Sequence, residues 1–151
     1  MMRFTPYHLE QTDSAAEADR VFLRTQIRNF NNVISPHHLH VRTHPPRQLD
    51  FFLRDESAQI VGGLTASTYW ECLDIEELWL REDLRRHGYG RQLLALAEEE
   101  AQARGCRFAW LSTFSFQARG FYEKCGYRVI GELTDYPPGA TYFWLRKDFA
   151  V

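Results

Sequence analysis

Nowhere in the chain do eighteen apolar residues follow one another, and the stretch after Met1-Met2-Arg3 is largely polar. Neither a membrane-spanning helix nor a secretory leader is therefore expected. Cysteine is scarce: Cys72, Cys106 and Cys125 are odd in number, widely spaced and without a C-x-x-C pair. That pattern argues against a disulfide framework and against a structural zinc site, and is read as three reduced, packed thiols in a cytoplasmic protein. A basic excess is also missing. The formal charge of −2 argues against a partner that must be gripped along a phosphate backbone, so nucleic acid is not the expected ligand. Repeats and low-complexity segments are absent. What remains is 151 residues, 44% hydrophobic and 15% aromatic, enough for a single compact domain, 1–151, with a substantial core.

The most informative stretch runs from Ile75 to Gly105. Ile75, Leu78, Trp79 and Leu80 make a β-favouring run, and residues 81–86 are polar except for Leu84, as when a strand leaves the core. From Tyr89 onward Leu93, Leu94, Ala97 and Ala101 recur at helical spacing, and Arg104-Gly105 supplies a stop. The helix should begin near residues 88–90. Its first turn carries unsatisfied N–H groups and the positive end of the helix dipole. Gly88 and Gly90 allow an anion close to the backbone, and Arg85, Arg86 and Arg91 add formal charge. A phosphate or pyrophosphate suits such a turn; a glycine-containing turn with solvated arginines is the plain alternative. The dinucleotide-binding fingerprint fails because position 93 is Leu93, and the P-loop fails for want of Gly-Lys-Ser/Thr.

Around this unit the sequence predicts a weak strand over residues 4–9, a helix from Ser14 or Asp13 to about Asn29, and a turn at Asn29-Phe30-Asn31-Asn32. The histidine- and proline-rich segment from Ser35 to Gln48 reads as an irregular loop, with His37, His38, His40 and His44 solvated or walling a substrate pocket. Strands are predicted at 49–54 and 60–70, with Gly62-Gly63 marking a bulge or a close approach, and then at 72–80 and 107–114. The last two flank the central helix and should be parallel neighbours in a βαβ crossover. A short helix at 117–124 and strands at 127–132 and 141–147 complete the chain.

Arg85-Arg86-His87-Gly88-Tyr89-Gly90 resembles the Arg-x-x-Gly-x-Gly pyrophosphate loop of the GCN5-related N-acetyltransferase (GNAT) superfamily, where it likewise follows a strand and opens a helix. The family commonly has Gly where this chain has Arg86. Further on, Ala118-Arg119-Gly120-Phe121-Tyr122-Glu123-Lys124-Cys125-Gly126-Tyr127 is similar to the family's Phe-Tyr-Glu-Lys-x-Gly-Phe/Tyr element. The resemblance implies an α/β (α+β) fold: a mixed, mostly antiparallel twisted sheet of six to seven strands, about four flanking helices and a central acetyl-CoA-binding βαβ unit whose parallel strands splay apart.

It also implies acetyl-CoA as cosubstrate and direct acetyl transfer to a primary amine, with the amine of a small molecule as the leading acceptor. A protein or peptide N-acetyltransferase and a noncatalytic acyl-CoA-binding module are the alternatives. Carried onto this sequence, the resemblance assigns cofactor contacts to Leu78, Trp79 and Leu80, to Arg85, Arg86, His87, Gly88, Tyr89, Gly90 and Arg91, and to Ser112, Thr113, Gln117 and Tyr122. A backbone N–H within 78–80 would meet the thioester oxygen. Tyr122 either donates a proton to the departing thiolate or packs on the cofactor. Of the carboxylates Glu71, Asp74, Glu76 and Glu77, the last is favoured as base, acting through water. Strict alternation would set Asp74 and Glu76 on the face opposite Glu77 unless a bulge intervenes. Tyr69, Trp70 and Trp144 are candidates for a homodimer interface or for the core.

Overall fold

The computed structural model describes residues 3–4 and 6–150. By compactness the chain divides into Met1–His44 and Pro45–Val151.

In the first unit, β1 (Arg3–Phe4) and β2 (Tyr7–His8) pair antiparallel. Helix α1 runs from Glu17 to Ile34 and α2 from Pro36 to Thr43. Both helices differ from the expectation. The Asn29–Asn32 stretch does not end α1, because Phe30, Val33 and Ile34 prolong the apolar stripe of Phe22, Leu23 and Ile27, and a sustained stripe outweighs the local turn preference of asparagine. The cap is Ala16, without a side-chain bond, rather than Ser14 or Asp13. The histidine-rich segment is helical over most of its length. Ser35 caps it by accepting from the His38 N–H, and Pro36 sits in the first turn, where its missing N–H costs nothing. His40 in the last turn of α2 and His44, its C-cap residue, stack with ring centroids 4.0 Å apart.

The second unit is a six-stranded sheet in the order β3-β4-β5-β6-β8-β7. Its strands are β3 (Arg47–Arg54), β4 (Ile60–Tyr69), β5 (Cys72–Leu80), β6 (Phe108–Phe114), β7 (Arg128–Thr134) and β8 (Thr141–Asp148). Only β5 and β6 are parallel; the remaining neighbours are antiparallel. Helix α3 (Tyr89–Ala103) makes the crossover between the parallel pair, and α4 (Arg119–Lys124) leads into β7. One face of the sheet packs on these helices. Leu64, Leu73, Leu94, Leu111 and Leu145 are fully buried there, joined by Ala97, Ala101 and Phe143.

Two local features set the site. The parallel pairing of β5 with β6 lasts for only three rungs, Cys72↔Phe108, Leu73↔Ala109 and Asp74↔Trp110, after which the strands run on to Leu80 and Phe114 unpaired with each other. The sheet is therefore open between them. In addition, Thr65 pairs with Glu77 while the next residue, Ala66, pairs with Ile75, which leaves Glu76 as the extra residue of a bulge. The bulge shifts side-chain parity. Leu73 and Ile75 before it, and Leu78 and Leu80 after it, share the helix-covered face, whereas Asp74 and Glu77 share the other. The flat alternation that separated Asp74 from Glu77 is thus corrected by one inserted residue.

Gly62-Gly63 marks a close approach. A Cβ at Gly62 would stand 2.6 Å from Leu80 Cδ2, and one at Gly63 would stand 2.7 Å from the Phe51 carbonyl oxygen.

Candidate active site

An open cavity of about 740 Å³ lies where β5 parts from β6. Leu78 and Leu80 form its strand wall, the turn from Arg85 to Arg91 its rim, and Gln117, Ala118, Phe121, Tyr122, Lys124 and Cys125 its far side.

The rim is built on the start of α3. Gly88 is the N-cap residue with φ +85°, a left-handed conformation that favours glycine, and no side chain caps the helix. The first N–H groups of α3 thus keep their donor capacity for a ligand at the positive end of the dipole. Gly90 is buried, and a Cβ there would meet Phe121 Cζ at 3.3 Å and Leu80 Cδ1 at 3.5 Å, so helix, strand and α4 close up around it. Arg86 adopts φ +64°. A side chain in this left-handed region costs about 1 kcal/mol, which gives the physical reason why glycine suits the position. Here that strain holds a guanidinium on the cavity rim.

The other cations are tethered. Arg85 Nε donates to the Leu80 carbonyl at 3.0 Å, tying the loop to the end of β5, and Arg91 donates to the Lys124 carbonyl at 3.1 Å, tying α3 to the C-terminus of α4. His87 is exposed and donates Nδ1–H to the Arg85 carbonyl, 2.7 Å away, fixing the turn.

On the strand wall, backbone direction alternates. Arg81 N–H donates to the Val61 carbonyl across β4, so Trp79 N–H faces β4 as well, while the N–H groups of Leu78 and Leu80 point into the opening. Trp79 also turns its exposed side chain to the opposite face of the sheet. Within the 78–80 window only Leu78 and Leu80 therefore offer donors to the cavity.

Tyr122 is 8% exposed and packs edge-on against Phe121 and Tyr127. Burial pushes its phenol up to about 12, with smaller contributions from Cys125 and Glu77. None of the described residues holds its hydroxyl in a hydrogen bond. Glu77 itself is exposed on the far face beside the bulge. The opening thus has a protonated phenol on one side and a carboxylate on the other.

Gln117 braces the end of β6 and lines the cavity, and it does not cap α4, whose N-cap is Ala118. Its Oε1 accepts from Thr113 Oγ1 at 3.0 Å and from Phe114 N–H at 2.9 Å, and its side chain borders the cavity. Thr113 is consequently buried and occupied. Ser112 points to the other face, where it meets the Tyr142 hydroxyl. Of the residues named from sequence, Leu78, Leu80, Arg85, Arg86, Gly88, Gly90, Arg91, Gln117 and Tyr122 come together around the cavity. Trp79, His87, Tyr89, Ser112 and Thr113 do not line it. Sequence reasoning missed Ala118, Phe121, Lys124 and Cys125 as cavity residues. All four lie on or beside α4, and the i, i+3, i+4, i+7 spacing of Ala118, Phe121, Tyr122 and Cys125 was the available signal.

The whole arrangement, an open V in the sheet with a cationic, glycine-based helix start at its rim, is matched by comparison with known proteins. The model of the acetyltransferase (GNAT) family aligns with residues 12–127. The chain belongs to that family. It is an N-acetyltransferase with acetyl-CoA as cosubstrate. Blasticidin-S acetyltransferase of Streptomyces morookaense is 38% identical over 94 residues, covering 62% of this chain and 69% of that protein. The crystal structure of an acetyltransferase from Bacillus cereus superimposes with a TM-score of 0.81 at 30% identity, covering 97% of this chain and all of that one. A Bacillus anthracis protein solved in complex with acetyl coenzyme A shares the fold, with a TM-score of 0.61 at 23% identity over 70% of this chain and 64% of its own.

The donor set suits this cosubstrate. Its pyrophosphate calls for backbone N–H groups and guanidinium groups, which the α3 rim supplies, and its pantetheine arm calls for an extended, largely apolar slot, which Leu78, Leu80 and Phe121 supply.

Proposed function

We propose that this enzyme transfers the acetyl group directly to the primary amine of a small molecule, with Tyr122 as proton donor and Glu77 as base. The observation that carries the reading is Tyr122: a buried phenol on the cavity wall, raised to about 12, with a hydroxyl that no described residue engages. The 38% identity to Blasticidin-S acetyltransferase supports a small-molecule acceptor.

Bound acetyl-CoA supplies an activated acyl group as a thioester. The backbone N–H groups of Tyr89, Gly90 and Arg91, with the Arg85 and Arg86 side chains, hold the pyrophosphate. Leu78 and Leu80 hold the pantetheine by backbone and side chain. The Leu78 N–H donates to the thioester oxygen as negative charge develops there, a fixed dipole that needs no reorganisation. Glu77, through one water, takes the proton that the acceptor ammonium must lose before its nitrogen lone pair attacks. Tyr122 delivers its phenolic proton to the sulfur as the carbon–sulfur bond breaks, and is reprotonated through water by the second proton that the attacking nitrogen loses on becoming an amide, so that one proton is released overall.

The raised phenol pKa keeps Tyr122 protonated well above pH 7, so its O–H is present as a donor at the departing sulfur throughout that range. With the thioester held between β5 and β6 and the acceptor held beside Glu77, orientation itself contributes to the rate.

The test is a free-thiol release screen with acetyl-CoA across aminonucleosides, amino sugars, polyamines and short peptides. Turnover confined to the small amines is expected. Turnover on peptides alone would replace the acceptor class, and silence across the panel by protein that binds acetyl-CoA would remove the catalytic reading.

A further inference from the structure

None of the described residues 6–44 is buried, yet α1 is strongly patterned. On a helical projection Phe22, Leu23, Ile27, Phe30, Val33 and Ile34 fall within a stripe about 140° wide, and all six are more than 60% exposed. The residues of α1 that are partly covered, Thr25, Asn31 and Asn32, lie on other sides. A stripe of that width belongs against a core. At 18 residues, about 27 Å of helix, α1 is also near the length at which an isolated helix is only marginal in water.

The second unit presents the counterpart. Its sheet has helices on one face only. The other face displays Phe52 and Trp79, both about half exposed, with Arg54 over the Phe52 ring, the carboxylates of Asp50, Asp74 and Glu77 along β3 and β5, and Trp110 opposite Asp74 and Arg146. Charge matches too. Arg20, Arg24 and Arg28 form an i, i+4, i+8 row along one edge of the α1 stripe. Arg24 pairs with Glu17, while Arg20 and Arg28 have no ion pair among the described residues. A basic-edged apolar helix and an aromatic sheet face with three carboxylates on β3 and β5 are a self-complementary pair on the same chain.

We propose that this enzyme is a reciprocal dimer in which α1 of each copy lies across the sheet face opposite α3 and α4 of the other. Two such stripes bury roughly 1,200 Å² at about 100 Å² per side chain, which is already the size of a specific protein–protein interface before the sheet's share is added. The exchange is isologous and closes on itself, so it yields a dimer and not a fibre. Resting on the acceptor site proposed above, it has a functional consequence. Glu77 stands on the face that the partner's helix crosses, so the partner walls the acceptor side while the cofactor cavity stays within one copy.

The experiment is sedimentation velocity on the full chain, with wild type beside Ile27→Glu/Phe30→Glu and beside the milder Arg28→Glu, each checked by circular dichroism. Wild type should sediment as a dimer. The double variant should be monomeric, bind acetyl-CoA with unchanged affinity, and lose at least about tenfold in kcat/KM for the amine. Arg28→Glu should weaken the dimer about tenfold at low salt and less at high salt. A second readout places the contact: mixing the monomeric double variant with a Tyr122→Phe chain should restore turnover, because an intact helix then covers an intact site. A monomeric wild type, a dimer that survives both variants, or mixing without recovery would overturn the proposal. Loss of acetyl-CoA binding in wild type would instead strike the acetyltransferase reading itself.

Discussion

Residues 6–44 and residues 45–150 use apolar side chains in opposite ways. In the second segment Leu64, Leu73, Leu94, Leu111 and Leu145 are sealed from water, and the chain spends its irregularities, the Glu76 bulge, the left-handed Arg86 and the parting of β5 from β6, on a cavity beside that core. In the first segment two regular helices carry large apolar residues outward and seal none of them. Regular secondary structure without a core is a surface seeking a partner. A rigid core with local irregularity is a site. The contrast separates the cavity, built by the sheet, α3 and α4, from the exposed apolar stripe of α1, to which assembly is proposed to belong.

The contrast can be broken or sharpened by mutation. The largest effect is expected at Leu94→Ala, which empties a 2%-exposed position between α3 and the sheet and should cost about 2–5 kcal/mol in denaturant unfolding of the second unit. A loss below about 1 kcal/mol would mean that α3 is not the lid of the core.

A smaller effect of opposite sign is expected at Arg86→Gly. Relief of the left-handed backbone at φ +64° should raise stability by about 1 kcal/mol, while acetyl-CoA affinity falls severalfold in titration calorimetry as a rim cation is removed. Unchanged stability would remove the claim that strain is held at the site.

The smallest is Ser35→Ala. The cap bond to His38 N–H is long, 3.4 Å, so about 0.5 kcal/mol of local stability is expected to go. It should be read as faster amide exchange in α2, with the melting of the sheet unmoved. A global loss of stability would show that the two segments unfold as one.

The same contrast governs what could be read in the amino acids. β5 was placed at its observed bounds, and α3 within a residue or two, because Leu93, Leu94, Ala97 and Ala101 have one dominant neighbour, the sheet, and pattern then follows burial. The βαβ unit followed from the strand–helix–strand pattern itself, whereas the mixed sheet and the splay of its parallel pair came with the family motifs. The first segment misled because local signals competed. Asn29, Asn31 and Asn32 speak for a turn, while Phe30, Val33 and Ile34 continue a stripe whose partner is not the local chain. Ser35-Pro36 was a legible helix start, hidden by the histidines that follow.

At the site, the helix-start residues were found because glycine and arginine at a strand–helix junction have few other uses. The bulge was legible only in hindsight, from apolar residues that change from positions 73 and 75 to 78 and 80. Without it the facing of Asp74 and Glu77 could not be deduced, nor the withdrawal of Trp79 from the cavity. Contacts such as Gln117 with Thr113, or Arg91 with the Lys124 carbonyl, depend on three-dimensional approach and leave no periodic trace.

The central claim is that Tyr122 is the proton donor within an intact acetyl-CoA cavity. It is tested most directly by steady-state kinetics of Tyr122→Phe alongside acetyl-CoA titration, from pH 7 to about pH 10.5. With the phenol raised to about 12, wild-type kcat should show no fall near pH 10, where an ordinary tyrosine deprotonates. The variant should bind acetyl-CoA as wild type does and lose about 10²-fold in kcat across the range. Undiminished turnover by the variant would contradict the account and return Tyr122 to the role of a packing residue.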